Sequence, residues 1–277
     1  MTMKNGLSLM IAGLLAAAPG PLALRASATD AFQRNSDDWC REENWGRDRE
    51  RACDVRELTL PSSGALTVDA SPNGGIQVEG APRYDVHVRA KVVATASTLE
   101  RARQILSAVR IQPSGDRIEA EGPDGLGRRE SWSVSYELAV PVQMSLVLKS
   151  VNGGVSVRGV EGRLDLSTTN GGVRLTNVGG DVRGRTTNGG IDVELDGHTW
   201  RGEGLDLQTS NGGVRLAIPE DYSARLEAGT VNGGVNSDFP LTVRGRLNRD
   251  IDTTLGAGGA PIRVRTSNGG VRITKKR

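Results

Sequence analysis

Acidic side chains recur through the middle of this chain at Asp165, Asp181, Asp192, Glu194, Asp196 and Asp206. Parallel β-helix enzymes that cleave polysaccharides use acids of this kind on one exposed face. Glycoside hydrolysis needs two carboxyl groups at a defined separation across the sugar. Here the acids fall at different places in the surrounding pattern and are flanked by arginine, so a solvated surface is expected rather than a catalytic pair. His87 and His198 are isolated, and neither lies in the two-histidine, one-glutamate pattern of a metal site. The chain has no phosphate-cradling glycine loop with lysine and Ser/Thr, and no calcium-binding Gly-Gly-x-Gly-x-Asp repeat. No catalytic residue, cofactor or metal ligand is therefore assigned, and the chain is expected not to be an enzyme. Cys40 and Cys53 are the only cysteines. In an exported chain they most simply form a disulfide, worth on the order of 3 kcal/mol for a loop of that size. No histidine lies near enough in sequence to suggest zinc instead.

The most repeated chemistry is an amide beside two glycines. Asn-Gly-Gly begins at Asn73, Asn152, Asn170, Asn188, Asn211, Asn232 and Asn268, with gaps of 79, 18, 18, 23, 21 and 36 residues. A hydroxyl stands two residues before each Asn: Ser71, Ser150, Thr168, Thr186, Thr209, Thr230 and Thr266. A β-branched aliphatic stands three residues after it: Ile76, Val155, Val173, Ile191, Val214, Val235 and Val271. A polar residue follows, then a second aliphatic in every copy but the one ending at Ser237. This is a turn leading into a strand with one apolar face. Glycine gives the turn its backbone freedom, and Asn tolerates left-handed conformations.

A period near 20 residues marks a repeat architecture. The expected fold is mostly β: a β-solenoid, parallel β-helix-like, with stacked Asn-Gly-Gly turns, a β-rich N-terminal cap and one helix. An antiparallel hairpin array is the alternative. Scarce aromatics, 3% of residues, with 37 glycines fit a thin aliphatic core better than a sandwich with aromatic anchors. In the solenoid, the Asn side chains would form a hydrogen-bonded ladder, and Asp192 would lie between Arg174 and Arg215 on an exposed rung. The 36-residue gap reads as two periods, with Thr253 to Gly259 as a degenerate unit. Lys275-Lys276-Arg277 would follow the last strand and discourage edge pairing.

The chain divides into a signal peptide at 1–28, a disulfide-tethered segment at 29–57, a β-rich cap at 58–145 and the repeat solenoid at 146–277. Lys4, the apolar run Leu7 to Ala18 and Ala26-Ser27-Ala28 carry the export signal. Export to the periplasm, cell surface or medium is expected, with no transmembrane segment in the mature chain. Without Lys4 and Arg25 the remaining basic residues equal the 33 acidic ones, which argues against nucleic acid as a partner. Ser97 with Glu100 makes a capping box ahead of an apolar face at Leu99, Ala102, Ile105, Leu106 and Val109, predicting a helix over about 97–109.

Further features carry a family resemblance: Cys40 and Cys53 ahead of Val55-Arg-Glu, Ser71-Pro-Asn-Gly-Gly-Ile-Gln-Val, the helix near Glu100, and Trp132-Ser-Val-Ser-Tyr before Val140-Pro141. With Thr169-Asn-Gly-Gly-Val-Arg-Leu, Gly204-Leu-Asp-Leu-Gln-Thr-Ser-Asn-Gly-Gly-Val and the closing segment from Gly258 to Val271, the chain resembles the bacterial putative-adhesin family of β-strand-repeat proteins, a domain of unknown function. The resemblance implies an exported, envelope-associated repeat protein and brings no catalytic residues. The expected function is a non-enzymatic adhesin or binding scaffold whose partner is an envelope glycan or protein. The alternative is a polysaccharide-active parallel β-helix enzyme. Exposed aromatics on one coil face, such as Tyr222 with Trp200, would favour the binding scaffold.

Overall fold

A computed structural model of the protein describes residues 39–40, 49–239 and 249–276. The signal peptide expected at 1–28 lies outside the described residues, as does the 29–57 segment apart from 39–40 and 49–57. The N-terminal part runs β1 (Glu50–Pro61), β2 (Ala65–Asp69), β3 (Ile76–Ala81), β4 (Asp85–Ala96), α1 (Leu99–Ala108), β5 (Arg110–Ser114), β6 (Arg117–Glu121) and β7 (Ser131–Pro141). The repeat run follows as β8 (Ser145–Asn152), β9 (Val155–Arg158), β10 (Glu161–Asn170), β11 (Val173–Thr176), β12 (Gly179–Asn188), β13 (Ile191–Glu194), β14 (Gly204–Asn211), β15 (Val214–Pro219), β16 (Ala224–Asn232) and β17 (Val235–Ser237). The chain closes with β18 (Asp250–Leu255), β19 (Pro261–Asn268) and β20 (Val271–Lys276).

The fold is mostly β, solenoid-like, and built on two large sheets. The first sheet has the order β1-β4-β7-β3-β9-β11-β13-β15-β20-β17, and the second β18-β16-β19-β14-β12-β10-β8-β2-β6-β5. Each Asn-Gly-Gly turn carries the chain from the second sheet to the first. Alternation along each strand sends one set of side chains inward. The aliphatics after the turns, Ile76, Val155, Val173, Ile191, Val214, Val271 and Val235, are all buried. They meet Leu148, Leu166, Leu207 and Val264 of the second sheet in one core. Each such side chain contributes about 1.5–3 kcal/mol of burial. Between neighbouring repeats the strands pair parallel and in register, with Thr168 opposite Thr186 and Val173 opposite Ile191.

The first repeat joins this run across the 79-residue gap: β2 pairs with β8, β3 with β9, and Asn73 bridges Asn152. The intervening residues extend both sheets, with β4 antiparallel between β1 and β7. Helix α1 starts one residue later than the capping box predicts. Thr98 is the cap, its hydroxyl accepting from the Arg101 amide at 3.3 Å, and Ala102 and Ile105 face the protein.

Three expectations are corrected. Among the described residues the 36-residue gap holds no intermediate repeat, because β18, which contains Thr253 to Leu255, runs antiparallel to β16 at the sheet edge. After a turn with positive φ at Gly256, Gly258 and Gly259, the chain returns so that β19 and β20 enter between the repeats of Asn211 and Asn232. Consequently Lys275 and Lys276 do not guard an edge. They lie on β20, between β15 and β17, where Lys276 pairs with Glu194 at 2.7 Å and Lys275 with Glu220 at 2.6 Å. Trp200 and Tyr222 are not exposed aromatics. Both are buried, and the Trp200 indole donates to the Gly180 carbonyl at 3.0 Å.

Candidate functional site

The turn residues divide three tasks among them. The Asn amides make one hydrogen-bonded row. Asn152 donates to Asn73, Asn170 to Asn152, Asn188 to Asn170, Asn211 to Asn188, Asn268 to Asn211 and Asn232 to Asn268, each at 2.8–2.9 Å. The hydroxyls make a second row behind it. Ser150, Thr168, Thr186, Thr209, Thr266 and Thr230 each donate to the carbonyl of the first glycine of the adjacent turn, at 2.7–2.8 Å. The first glycine is small because that neighbouring backbone is close. A Cβ on Gly171 would stand 2.1 Å from the Gly153 oxygen, and one on Gly189 would stand 2.0 Å from the Gly171 oxygen.

The amide row is exposed and the hydroxyl row buried, so their energetic weights differ. Asn188→Ala leaves amides that water can satisfy, and should cost about 0.5–1.5 kcal/mol. Thr186→Val strands the Gly171 carbonyl away from water and should cost more, about 1–3 kcal/mol. Urea titration of both variants checks the order, and equal midpoints would refute this division.

The second glycines face outward. Gly75, Gly154, Gly172, Gly190, Gly213 and Gly270 line a groove of about 1000 Å³ along the first sheet. Beside them runs the polar position after each first aliphatic, in spatial order Gln77, Ser156, Arg174, Asp192, Arg215, Arg272 and Asn236. From β7 to β17 the groove crosses roughly 34 Å at about 4.8 Å per strand. Asp192 sits between two arginines, 3.2 Å from Arg215 and 4.0 Å from Arg174. Arg272 lies opposite Arg215 rather than an acid, so this stretch carries excess positive charge.

One end of the groove is closed by Trp39, Lys91 and Glu137. The Arg89 guanidinium and the Lys91 ammonium lie 5.2 and 5.1 Å from the Trp39 ring centre. Arg89 is 1% exposed and bridges Glu137 at 2.8 Å and Glu57 at 3.0 Å. Cys40, next to Trp39, is disulfide-bonded to Cys53 of β1, which tethers the indole to this end. Sequence reasoning missed Trp39 and Arg89. The adjacency of an aromatic to a cysteine was the available signal.

The remaining acids are not gathered. Asp165, Asp181 and Asp206 lie on the second sheet, while Asp192 and Glu194 lie on the first. Glu194 holds the Lys276 ammonium above its ordinary range through their hydrogen bond. Arg201 and Gln143 together hold Glu161 low by donating to its carboxylate. His198 is exposed, 2.6 Å from Asp221. Among the described residues no group of three His, Cys, Asp or Glu side chains could hold a metal, and no helix is long and apolar enough to cross a membrane.

The family model Toastrack DUF4097 matches residues 62–274. No curated protein matches the chain. Solved structures with a similar course include a putative cell adhesion protein from Clostridium sporogenes, 11% identical with a TM-score of 0.45, covering 80% of this chain and 100% of that one. A putative adhesin from Bacteroides fragilis is 7% identical with a TM-score of 0.38, covering 81% and 97%. A putative lipid binding protein from Parabacteroides distasonis is 12% identical with a TM-score of 0.39, covering 81% and 97%.

Proposed function

The protein belongs to the Toastrack DUF4097 family, and from that membership we propose that it is a non-enzymatic, exported binding scaffold of the cell envelope. Each period is one coil of a parallel β-helix-like solenoid, and its Asn-Gly-Gly turns stack. The in-register parallel pairs and the row of amide bonds support this reading. The first-sheet groove is the binding face, and its partner is an extended envelope glycan.

The observation that carries the function is how the groove is lined. Its polar side chains form one row along the sheet, an amide at each end and a hydroxyl, three guanidiniums and a single carboxylate between them. Catalysis calls for groups converging on one reacting atom. A row of single donors and acceptors instead suits successive units of a linear polymer. The disulfide supports export, because such bonds persist in oxidising compartments.

A glycan array and a cell-wall pull-down test the proposal. At least one glycan should bind without being cleaved. Ser156→Trp, which fills the middle of the groove, should weaken that binding by about tenfold or more, equivalent to about 1.4 kcal/mol. A blank array with an empty pull-down, or turnover of any glycan, would sink it.

A further inference from the structure

We propose that the outer face of the second sheet holds a separate site for a linear anionic polysaccharide bearing carboxylates, gripped by Arg185 and Arg265. This site lies on the opposite side of the molecule from the first-sheet groove and does not depend on that groove's function.

Two adjacent rows of side chains on this face differ in one respect. In the row farther from the turns, charges alternate from strand to strand: Asp165, Arg183, Asp206, Arg263, Glu227. Arg263 bonds Glu227 at 2.9 Å, and Arg183 reaches Asp181 at 3.2 Å. In the row nearer the turns, Ser167, Gln208 and Gly229 replace those acids, while the arginines remain as Arg185 and Arg265. Both arginines are exposed. Among the described residues neither forms a salt bridge.

The place is a groove of about 850 Å³, bounded beyond Gly229 by Arg249 and Asp250. The groove ends at Gly229, which is covered by the Asp250 carboxylate, 2.8 Å from where a side chain at that position would begin. Arg185 and Arg265 stand two strands apart, about 9.6 Å, with Gln208 between them. That spacing is comparable to the repeat of an extended disaccharide. The exposed hydroxyls of Thr187, Ser210 and Ser267 run alongside and match a hydroxylated polymer. A guanidinium fork meets a carboxylate bidentately. Among the described residues no aromatic side chain lines the groove for base stacking, and Val231 is its one exposed apolar residue, which disfavours nucleic acid and membrane.

Calorimetric titration of the purified protein with polygalacturonate tests the proposal. Dextran, phosphatidylglycerol vesicles and a single-stranded oligonucleotide are the comparison probes. Polygalacturonate should bind, more weakly as salt rises, and dextran should not. Arg185→Gln with Arg265→Gln should lower affinity at least about tenfold, the loss expected for charge-assisted bonds. Arg128→Gln with Arg129→Gln, an equal charge change on the exposed loop between β6 and β7 and outside both grooves, should leave it within about twofold. Gln208→Glu restores the alternating charges and should abolish binding while leaving the thermal midpoint unchanged or higher, which separates site loss from misfolding. Absence of polygalacturonate binding overturns the proposal, as do equal losses in the two double variants or a preference for vesicles or oligonucleotide. Ser156→Trp should not alter this binding, so failure here and failure of the first-sheet groove are distinguishable.

Discussion

Gly171→Ala should destabilise the protein by about 4 kcal/mol, a large part of the 5–15 kcal/mol that holds an ordinary domain folded. The added carbon would lie 2.1 Å from the Gly153 oxygen and 2.5 Å from its carbonyl carbon, both backbone atoms. No flexible side chain is there to yield. Moving that carbonyl also breaks its 2.8 Å bond from Thr168. Gly172→Ala is the matched comparison: its nearest neighbour, the Gly190 oxygen, would be 3.1 Å away, and the site opens to the groove. Its cost should stay within about 1 kcal/mol. Denaturant unfolding of the two variants checks the contrast, and similar midpoints would falsify the claim that close backbone approach fixes the first glycine.

The second large effect is expected at Arg89. Truncation to Ala removes a cation that is 1% exposed and leaves Glu137 buried without it, a loss of about 3–5 kcal/mol. Trp39 also loses the guanidinium beneath it, so its fluorescence should shift toward that of an exposed indole. Arg89→Met with Glu137→Leu should recover most of the stability, because a buried pair replaced by apolar side chains costs little. If the double variant is no more stable than Arg89→Ala, packing rather than charge governs this end.

The mostly β class was legible in the sequence, because the apolar-polar-apolar alternation after each Asn-Gly-Gly leaves few other solutions. Helix α1 was equally plain from its apolar face, although Thr98 outcompeted Ser97 as its cap. The order of neighbours was not legible. All copies present the same hydroxyl, Asn and aliphatic to either side, so nothing local tells Asn211 to sit beside Asn268 rather than Asn232. The misplaced lysines at 275 and 276 follow from that one degeneracy. The candidate site was half visible: the polar position after each aliphatic could be read, and with it the rung of Arg174, Asp192 and Arg215. Its closed end could not. Arg89 occurs in an alternating strand that reads as solvent-facing, and only the pairing of β1 and β7 around β4 brings Glu57 and Glu137 to it.

The entry of β19 and β20 between earlier repeats bears on how the molecule is made. In most repeat proteins each unit docks on its predecessor, and structure can grow as the chain emerges. Here the rung beside Asn211 is filled by residues that come after β16 and β17 in the chain, and β16 with β17 must wait for it. A nascent chain ending before Pro261 would hold an open slot in the stack rather than a shortened one. Assembly is thus gated by the emergence of β19 and β20, which act as a keystone whose late arrival commits both sheets at once.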